Sequence, residues 1–440
     1  MTDMLDVLVV GGGPVGACMA ALLARGVGQG ASAPFRVAVL EPHRPQMPAP
    51  GSPLDPRVVA VSRSSERILQ GAGAWGRVCG ERAGDRGSDV RTDDDRTVGD
   101  RGELRLSPYE RMRIWHESVA PTSSGALVFD AADVGEPNLG YIVENRLLQA
   151  ALLDAFAEAG GEIELAQLVS LRVGAEGVTV ETTGKPLMAR LVIGADGAQS
   201  AVRDAVGLTA EHSDYHQTAI VATVATEHSH EKTAWQRFMR DGTLAFLPLA
   251  DGSSSIVWSA DNTLAQDLLK ASSSEFEMAL HRASDGALGA TRLASERASF
   301  PLRRLAAHHY AAQRVALIGD AAHVVHPLAG QGVNLGLLDA AALTQLLLEA
   351  RQEREDPGAL RALRQYERWR KSEVAFMGSA IDTFDRLLAH GRGPLSKLAQ
   401  RGLGWVNRSQ ELKRFFIARA LGTAGELPRV AQTSQRVAVS

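Results

Sequence analysis

The chain has 440 residues, a formal net charge of -4, and 45% hydrophobic and 22% charged residues, the profile of a soluble globular protein of two or three domains. A charge so near zero excludes a whole-molecule footprint for nucleic acid, which needs a strong Lys and Arg excess on one face. Only two cysteines occur, Cys18 and Cys79; the first lies in an apolar helical run as a small core residue, and the pair fits a reducing, cytosolic setting.

The start, MTDML, runs directly into a strand pattern, so no export signal is expected. No uninterrupted apolar segment of roughly 18 residues suggests a bilayer span. Leu5 to Val10, LDVLVV, predicts a strand buried on both faces of a parallel sheet. The next stretch, GGGPVGACMAALLARG, puts Met19, Ala20, Leu22 and Leu23 on helical spacing, with Gly26 as a stop. A Gly/Ala/Ser/Pro linker leads to RVAVLE, a second buried strand ending at Glu41, which completes a βαβ unit. From Glu81 to Arg105 the chain is rich in Asp, Arg and Gly and cannot bury a core, so a mobile charged surface loop is expected, with a docking tail as the alternative. ENRLLQAALLDAFAEAGG spaces Leu148, Leu152 and Phe156 as an amphipathic helix. LMARLVIGADG is again a buried strand entering a glycine turn. Between about Thr218 and Leu302 the runs TAIVATVAT, LAFLPLADGSSSIVWSA and ERASFPLRR have antiparallel character. RVALIGD returns to the parallel type, and after Gly336 the chain reads as helical to about Leu388.

Gly11, Gly13 and Gly16 stand in G-x-G-x-x-G spacing, directly after a strand and opening a helix. Such glycines let a pyrophosphate approach the free amides and dipole of the helix N-terminus. Alone the motif is weak, and a glycine-rich turn of another α/β protein is the bland alternative. Glu41 strengthens it, because an acid closing the second strand accepts hydrogen bonds from the adenosine ribose and argues against a 2'-phosphate. FAD or NAD fits this groove.

GGGPVG, DPRVVAVSRSSERIL, LVIGADGAQSAVR and RVALIGDAAHVVHPLAGQGVNLGLLDAA, taken in order, resemble the single-component FAD-dependent aromatic hydroxylases, the group A flavin monooxygenases. Within them the chain is most similar to the branch that serves ubiquinone biosynthesis. The resemblance extends through PYERMRIWHESVA, LGYIVENRLLQAAL and the C-terminal YERWRKSE. It implies an α/β fold like that of p-hydroxybenzoate hydroxylase: a Rossmann-like FAD-binding domain with a parallel sheet, an inserted antiparallel-sheet substrate domain, and C-terminal helices. The expected division gives 1–80, 140–205 and 303–350 to FAD binding, and 106–139 and 206–302 to the substrate domain. Residues 81–105 are the charged loop, 351–425 a helical region and 426–440 a disordered tail.

The resemblance also implies site residues. Asp196 of GADG contacts FAD and bears on pyridine-nucleotide binding, Asp320 holds the ribityl or pyrophosphate part, Arg57 lies along the flavin, and Arg146 sits near the ribityl. Ordinary turn and N-cap chemistry is the other use of Asp196 and Asp320. Gly330 and Gly332 allow backbone to pass close to a flat ring. The helix starting near Gln331 points its positive end at that ring, and Asn334 adds a donor. His323 reads as a structural hydrogen-bonding residue, and His326 and Pro327 as the wall facing the flavin. Two histidines three apart without a clustered partner make a thin metal site, so no metal is expected. Phe246, Pro248 and Trp258 are candidate pocket walls, with core packing the more usual role for each.

The implied reaction uses NAD(P)H to reduce FAD and O2 to form a flavin C4a-hydroperoxide, which hydroxylates a polyprenylated phenol or quinol. No second Rossmann motif for the nicotinamide is visible. In LSKLAQRGLGWVNRSQELKRFFIARALG, apolar residues interleave with Lys and Arg, which suits peripheral membrane contact, a surface for other ubiquinone-biosynthesis enzymes, or a helix packed on the protein itself. The competing functions are a prenyl-reductase-type flavoprotein and a non-catalytic FAD- or prenyl-binding scaffold.

Overall fold

The computed structural model describes residues 4–26, 34–49, 51–80, 105–325, 331–388, 422 and 424–432. Its helices are α1 (Pro14–Arg25), α2 (Arg63–Gly71), α3 (Trp75–Val78), α4 (Asn145–Glu158), α5 (Ala201–Ala205), α6 (Asn262–Lys270), α7 (Ser273–Ala283), α8 (Gln331–Gln352) and α9 (Leu360–Leu388).

One sheet holds β1 (Leu5–Val10), β2 (Val37–Leu40), β8 (Glu162–Glu164), β9 (Leu168–Val173), β10 (Val178–Thr182), β11 (Leu187–Gly194), β18 (Ala311–Ala312) and β19 (Val315–Leu317). Strands β19, β11, β1, β2 and β8 lie side by side in that order and run parallel. β1 is buried almost throughout, as its continuous β-branched run predicts. α1 is buried from Gly16 to Ala24 and stops at Gly26, whose left-handed backbone (φ 61°) returns its N–H to the last carbonyls.

A small antiparallel sheet joins β3 (Val58–Ser62), β7 (Gly140–Glu144) and β4 (Leu106–Tyr109) in that order. The third sheet contains β5 (Arg111–His116), β6 (Leu127–Asp130), β12 (Ala210–Thr226), β13 (Thr233–Met239), β14 (Gly242–Pro248), β15 (Ser254–Asp261), β16 (Thr291–Leu293), β17 (Ala298–Ala307) and β20 (His323–Val324). It is antiparallel except where β13 meets β5.

Alternation along these strands decides what each face does. Ile220, Ala222, Leu244, Phe246, Ile256 and Trp258 share the face packed on α6 and α7, where Phe276 and Leu280 complete a core. The Trp258 and Phe276 rings lie 5.9 Å apart. The opposite face turns toward the small sheet: Leu247 packs against Ala60, Ile142 and Leu249.

One sequence expectation needs correction and one needs detail. Residues 426–432, assigned to a disordered tail, are ordered: Ala431 is fully buried and its carbonyl accepts from Arg67, while the Glu426 carbonyl accepts from the Trp369 indole. Trp369, Gln345 and Arg67 all supply side-chain bonds that this polar stretch cannot advertise by itself. In α8, residues Gly332–Gln352 are apolar and long enough for a bilayer span, although Asn334, Asp339 and Thr344 interrupt the run. The helix is mostly buried against α1 and α9, as a core helix is.

Candidate functional site

The parallel strands deliver their carboxyl ends to one edge: β1 to Gly11, β2 to Glu41, β11 to Asp196, and β19 to Gly319 and Asp320. Open α/β sheets bind ligands at this edge, where strand order reverses. Gly11 has φ +100°, and a Cβ there would collide with the Ala195 carbonyl oxygen. Gly16 is as constrained, since a Cβ built on it overlaps the Gly11 oxygen. Gly13 is the opposite case: it caps α1 without a side-chain bond, and a Cβ there meets nothing within 4 Å. The first-turn amides of α1 therefore face open space, the cradle that a pyrophosphate would fill.

Among the described residues a second such opening lies at α8, where no atom of theirs comes within 4 Å of a Cβ built on Gly332. Val15 of α1 seats in a notch made by Gly319 and Gly336, 2.5 Å from a Cβ built on the latter, so the two helix N-termini stand side by side. The arrangement fits a long dinucleotide with phosphate at one mouth and a flat ring at the other. Glu41 accepts from the Gly12 amide (2.7 Å) and the His43 amide (3.1 Å). A carboxylate has about four lone-pair sites, so acceptor capacity remains for ribose hydroxyls.

The two aspartates do different work. Asp196 accepts from Ser200 Oγ (2.6 Å) and Val202 N (3.0 Å), which engages both oxygens in capping α5. That is the turn and capping chemistry named above as its other use, and with about four lone-pair sites on a carboxylate, acceptor capacity for a cofactor remains on Asp196 as it does on Glu41. Asp320 has no hydrogen-bond partner among the described residues; solvent reaches its side chain, though protein crowds the concavity around it. That burial pushes its carboxyl above the ordinary range, with His323 opposing and Asp339 adding to the rise.

Behind Asp320 lies a set of contacts that sequence reasoning missed. Asp339 of α8, fully buried, accepts from His323 Nε2 (2.6 Å), Arg370 Nε (2.8 Å) and Gly319 N (3.0 Å). Burial alone would raise the Asp339 carboxyl; His323 and Arg370 hold it below the ordinary carboxylate range. His323 is thus the structural hydrogen-bonding residue expected of it. Arg203 donates to the Ala321 carbonyl (3.1 Å), tying α5 to the same loop. Asp339 and Arg370 stand inside the family-like motifs LGLLDAA and YERWRKSE, but nothing in their spacing announces that the two meet.

Asn334 has a structural part that the sequence did not show. Its amide donates to the Ala60 carbonyl (2.8 Å) and accepts from Ser62 N and Ser65 Oγ, so it pins the first turn of α8 to β3 and α2. Arg57, exposed, places its guanidinium 4.9 Å from the Phe300 ring centroid, bridging β3 and the third sheet. Arg146 is exposed on the first turn of α4. His326, Pro327 and Gly330 lie outside the described residues, as do the 81–104 loop and residues 389–421, so the expectations for them have no structural counterpart.

Register decides between the two roles of the candidate walls in favour of core packing. Phe246 and Trp258 are core residues of the far face, and Pro248 shares that side. On the near face Val221, Ala245 and Val257 stand in one cross-strand row, with Leu247 and Phe300 beside it. All five are only half-buried. They make an apolar floor beneath β3, next to the α8 mouth.

Fold and site together define a dinucleotide-binding α/β protein with an attached antiparallel sheet whose near face adjoins the cofactor mouth. Residues 4–376 match the FAD binding domain model, and the chain belongs to that family. It is 35% identical over 422 residues to ubiquinone hydroxylase UbiL of Rhodospirillum rubrum, covering 95% of this chain and 90% of the relative. It is 34% identical to 3-demethoxyubiquinol 3-hydroxylase of Escherichia coli, covering 95% and 98%. Among solved structures, p-nitrophenol 4-monooxygenase PnpA of Pseudomonas putida shares the fold with a TM-score of 0.71 at 19% identity, over 96% of this chain and 99% of that one. PqsL of P. aeruginosa gives 0.67 at 22% identity, over 92% and 100%.

Proposed function

We propose that the protein is an FAD-dependent monooxygenase that hydroxylates the aromatic ring of a polyprenylated phenol or benzoquinol in ubiquinone biosynthesis, with NAD(P)H as electron donor and O2 as oxidant. The observation that carries this reading is the apposition of two open helix mouths with a half-buried apolar floor. The names of both relatives, matched over most of their lengths, support the substrate class. FAD, when bound, supplies the redox and oxygen-activating chemistry.

The chain's own residues bind, orient and shield. Gly13 and the α1 amides would receive the pyrophosphate, Glu41 the ribose and Asp320 the middle of the cofactor. The first turn of α8, with Gly332 open and Asn334 holding it to β3, presents amides and a positive dipole to negative charge on the ring system. Because Asn334 and Asp339 fix both ends of this arrangement beforehand, little reorganisation is left for the reaction. Val221, Ala245, Leu247, Val257 and Phe300 would seat the phenol ring and keep water from it.

The test is a single turnover balance. Purified protein with FAD, NAD(P)H and a short-chain prenylated phenol should consume O2 and yield product one oxygen atom heavier, in equal amounts. A flavin-loaded protein that oxidises NAD(P)H and leaves the ring unchanged with every such phenol would overturn the reading.

A further inference from the structure

Arg105 stands at the end of the charged loop, where the sequence predicts mobility, yet it is largely buried and donates in five directions. Nη1 reaches both Glu144 oxygens (2.7 and 2.9 Å); Nη2 reaches Ser52 Oγ (2.5 Å), the Ala49 carbonyl (3.2 Å) and the Ser52 carbonyl. Glu144, itself buried, closes β7 and uses Oε2 to accept from the Asp55 amide (2.8 Å). Asp55 Oδ1 accepts from the Arg57 amide (2.8 Å), and the Arg57 carbonyl accepts from the Asn145 amide (2.9 Å). The line of contacts ends with the Arg57 guanidinium over Phe300.

Residues 51–57 contain no regular structure of their own, so without these bonds the loop would be free to sample other conformations. Arg57 is exposed, and among the described residues its guanidinium rests on a ring face, a contact that leaves its five donors for a ligand. We infer that Arg105 and Glu144 are positioning residues that fix the 49–57 loop and thereby set where Arg57 stands between the cofactor mouth and the apolar floor. Planarity matters here: a guanidinium serves Glu144 and Ser52 at once, whereas an ammonium is a single point. The inference rests on the proposed reaction for its kinetic consequence but not for its structural one.

The test uses the full chain loaded with FAD and four variants: Arg105→Lys, Glu144→Gln, Arg57→Ala and the double variant Arg57→Ala/Arg105→Lys. Hydrogen exchange should quicken at the Asp55 and Arg57 amides in Arg105→Lys and Glu144→Gln, with β1 and β11 amides unchanged. Each single variant should raise the phenol KM by about 10-fold and divert NAD(P)H oxidation to hydrogen peroxide, and the double variant should be no worse than Arg57→Ala. Unchanged exchange at the two amides, or effects that simply multiply in the double variant, would overturn it. If the parent protein holds FAD but hydroxylates nothing, the functional reading fails while the exchange result still decides the latch.

Discussion

The mouths of the parallel sheet and the floor of the antiparallel sheet are both made from strands, but they use strand geometry differently. At the mouths the strands end and bare backbone takes over: Gly11, Gly13, Gly319 and Gly332 matter for what they lack. Their neighbours Val15, Asn334 and Asp339 serve to hold that backbone still. On the floor the strands continue, and the proposed pocket takes every second side chain of β12, β14, β15 and β17. A mouth tolerates no added atom; a floor tolerates no shift of register, since one residue exchanges pocket for core.

Adjacent residues of β15 give the strongest test of that contrast. Trp258→Ala should lower stability by about 3–5 kcal/mol, the usual cost of emptying an aromatic site in a packed core, read by denaturant unfolding. Val257→Phe, one position along, should leave the unfolding midpoint nearly unchanged and raise KM for the phenol by about 10-fold, worth about 1.4 kcal/mol. If Val257→Phe destabilises as Trp258→Ala does, the two faces are misassigned.

Within the mouth the contrast sharpens between two glycines two residues apart. Gly11→Ala forces a Cβ into the Ala195 carbonyl at a left-handed φ, a strain of about 3 kcal/mol that should weaken FAD retention on the order of 100-fold and lower stability too. Gly13→Ala meets no atom of the described residues, so its unfolding curve should match the parent while FAD affinity alone falls. Flavin titration beside thermal unfolding separates them. Equal loss of stability in both would mean that the Gly13 opening is not a ligand cradle.

The legibility of the sequence divides along the same line. Gly11, Glu41 and Asp320 announce themselves because strand, turn and helix are contiguous there, and local spacing records local geometry. Phe246 stayed ambiguous between wall and core because both faces of β14 carry apolar residues, whereas in β15 Ile256, Trp258 and Ala260 alternate with Ser255, Val257 and Ser259, a pattern that favours core for Trp258. The buried pins were also invisible. Asp339 meets Arg370 across 31 positions and Asn334 meets Ser62 across 272, distances at which chain order says nothing about contact. Asp196 shows one of its two expected uses, since a turn acid at a helix start caps that helix whether or not a cofactor lies near.

Asp339 is where the two regions meet, because its partner His323 belongs to β20, which pairs with β17 of the antiparallel sheet. Asp339→Asn keeps the shape and removes the charge, leaving Arg370 buried without its counter-ion. The loss should be about 3–5 kcal/mol, as for removing one partner of a buried ion pair. Its sign with pH is fixed by the direction of the shift. A carboxyl held below its unfolded value stabilises fully above that value and loses the contribution as pH falls through the folded one. The gap between parent and variant should therefore be constant near neutrality and shrink below about pH 4, the ordinary Asp range. The comparison is best read by urea unfolding with FAD omitted, so that cofactor loss does not enter. A gap that stays the same down to about pH 2 would show that the Asp339 charge does not hold the two sheets together.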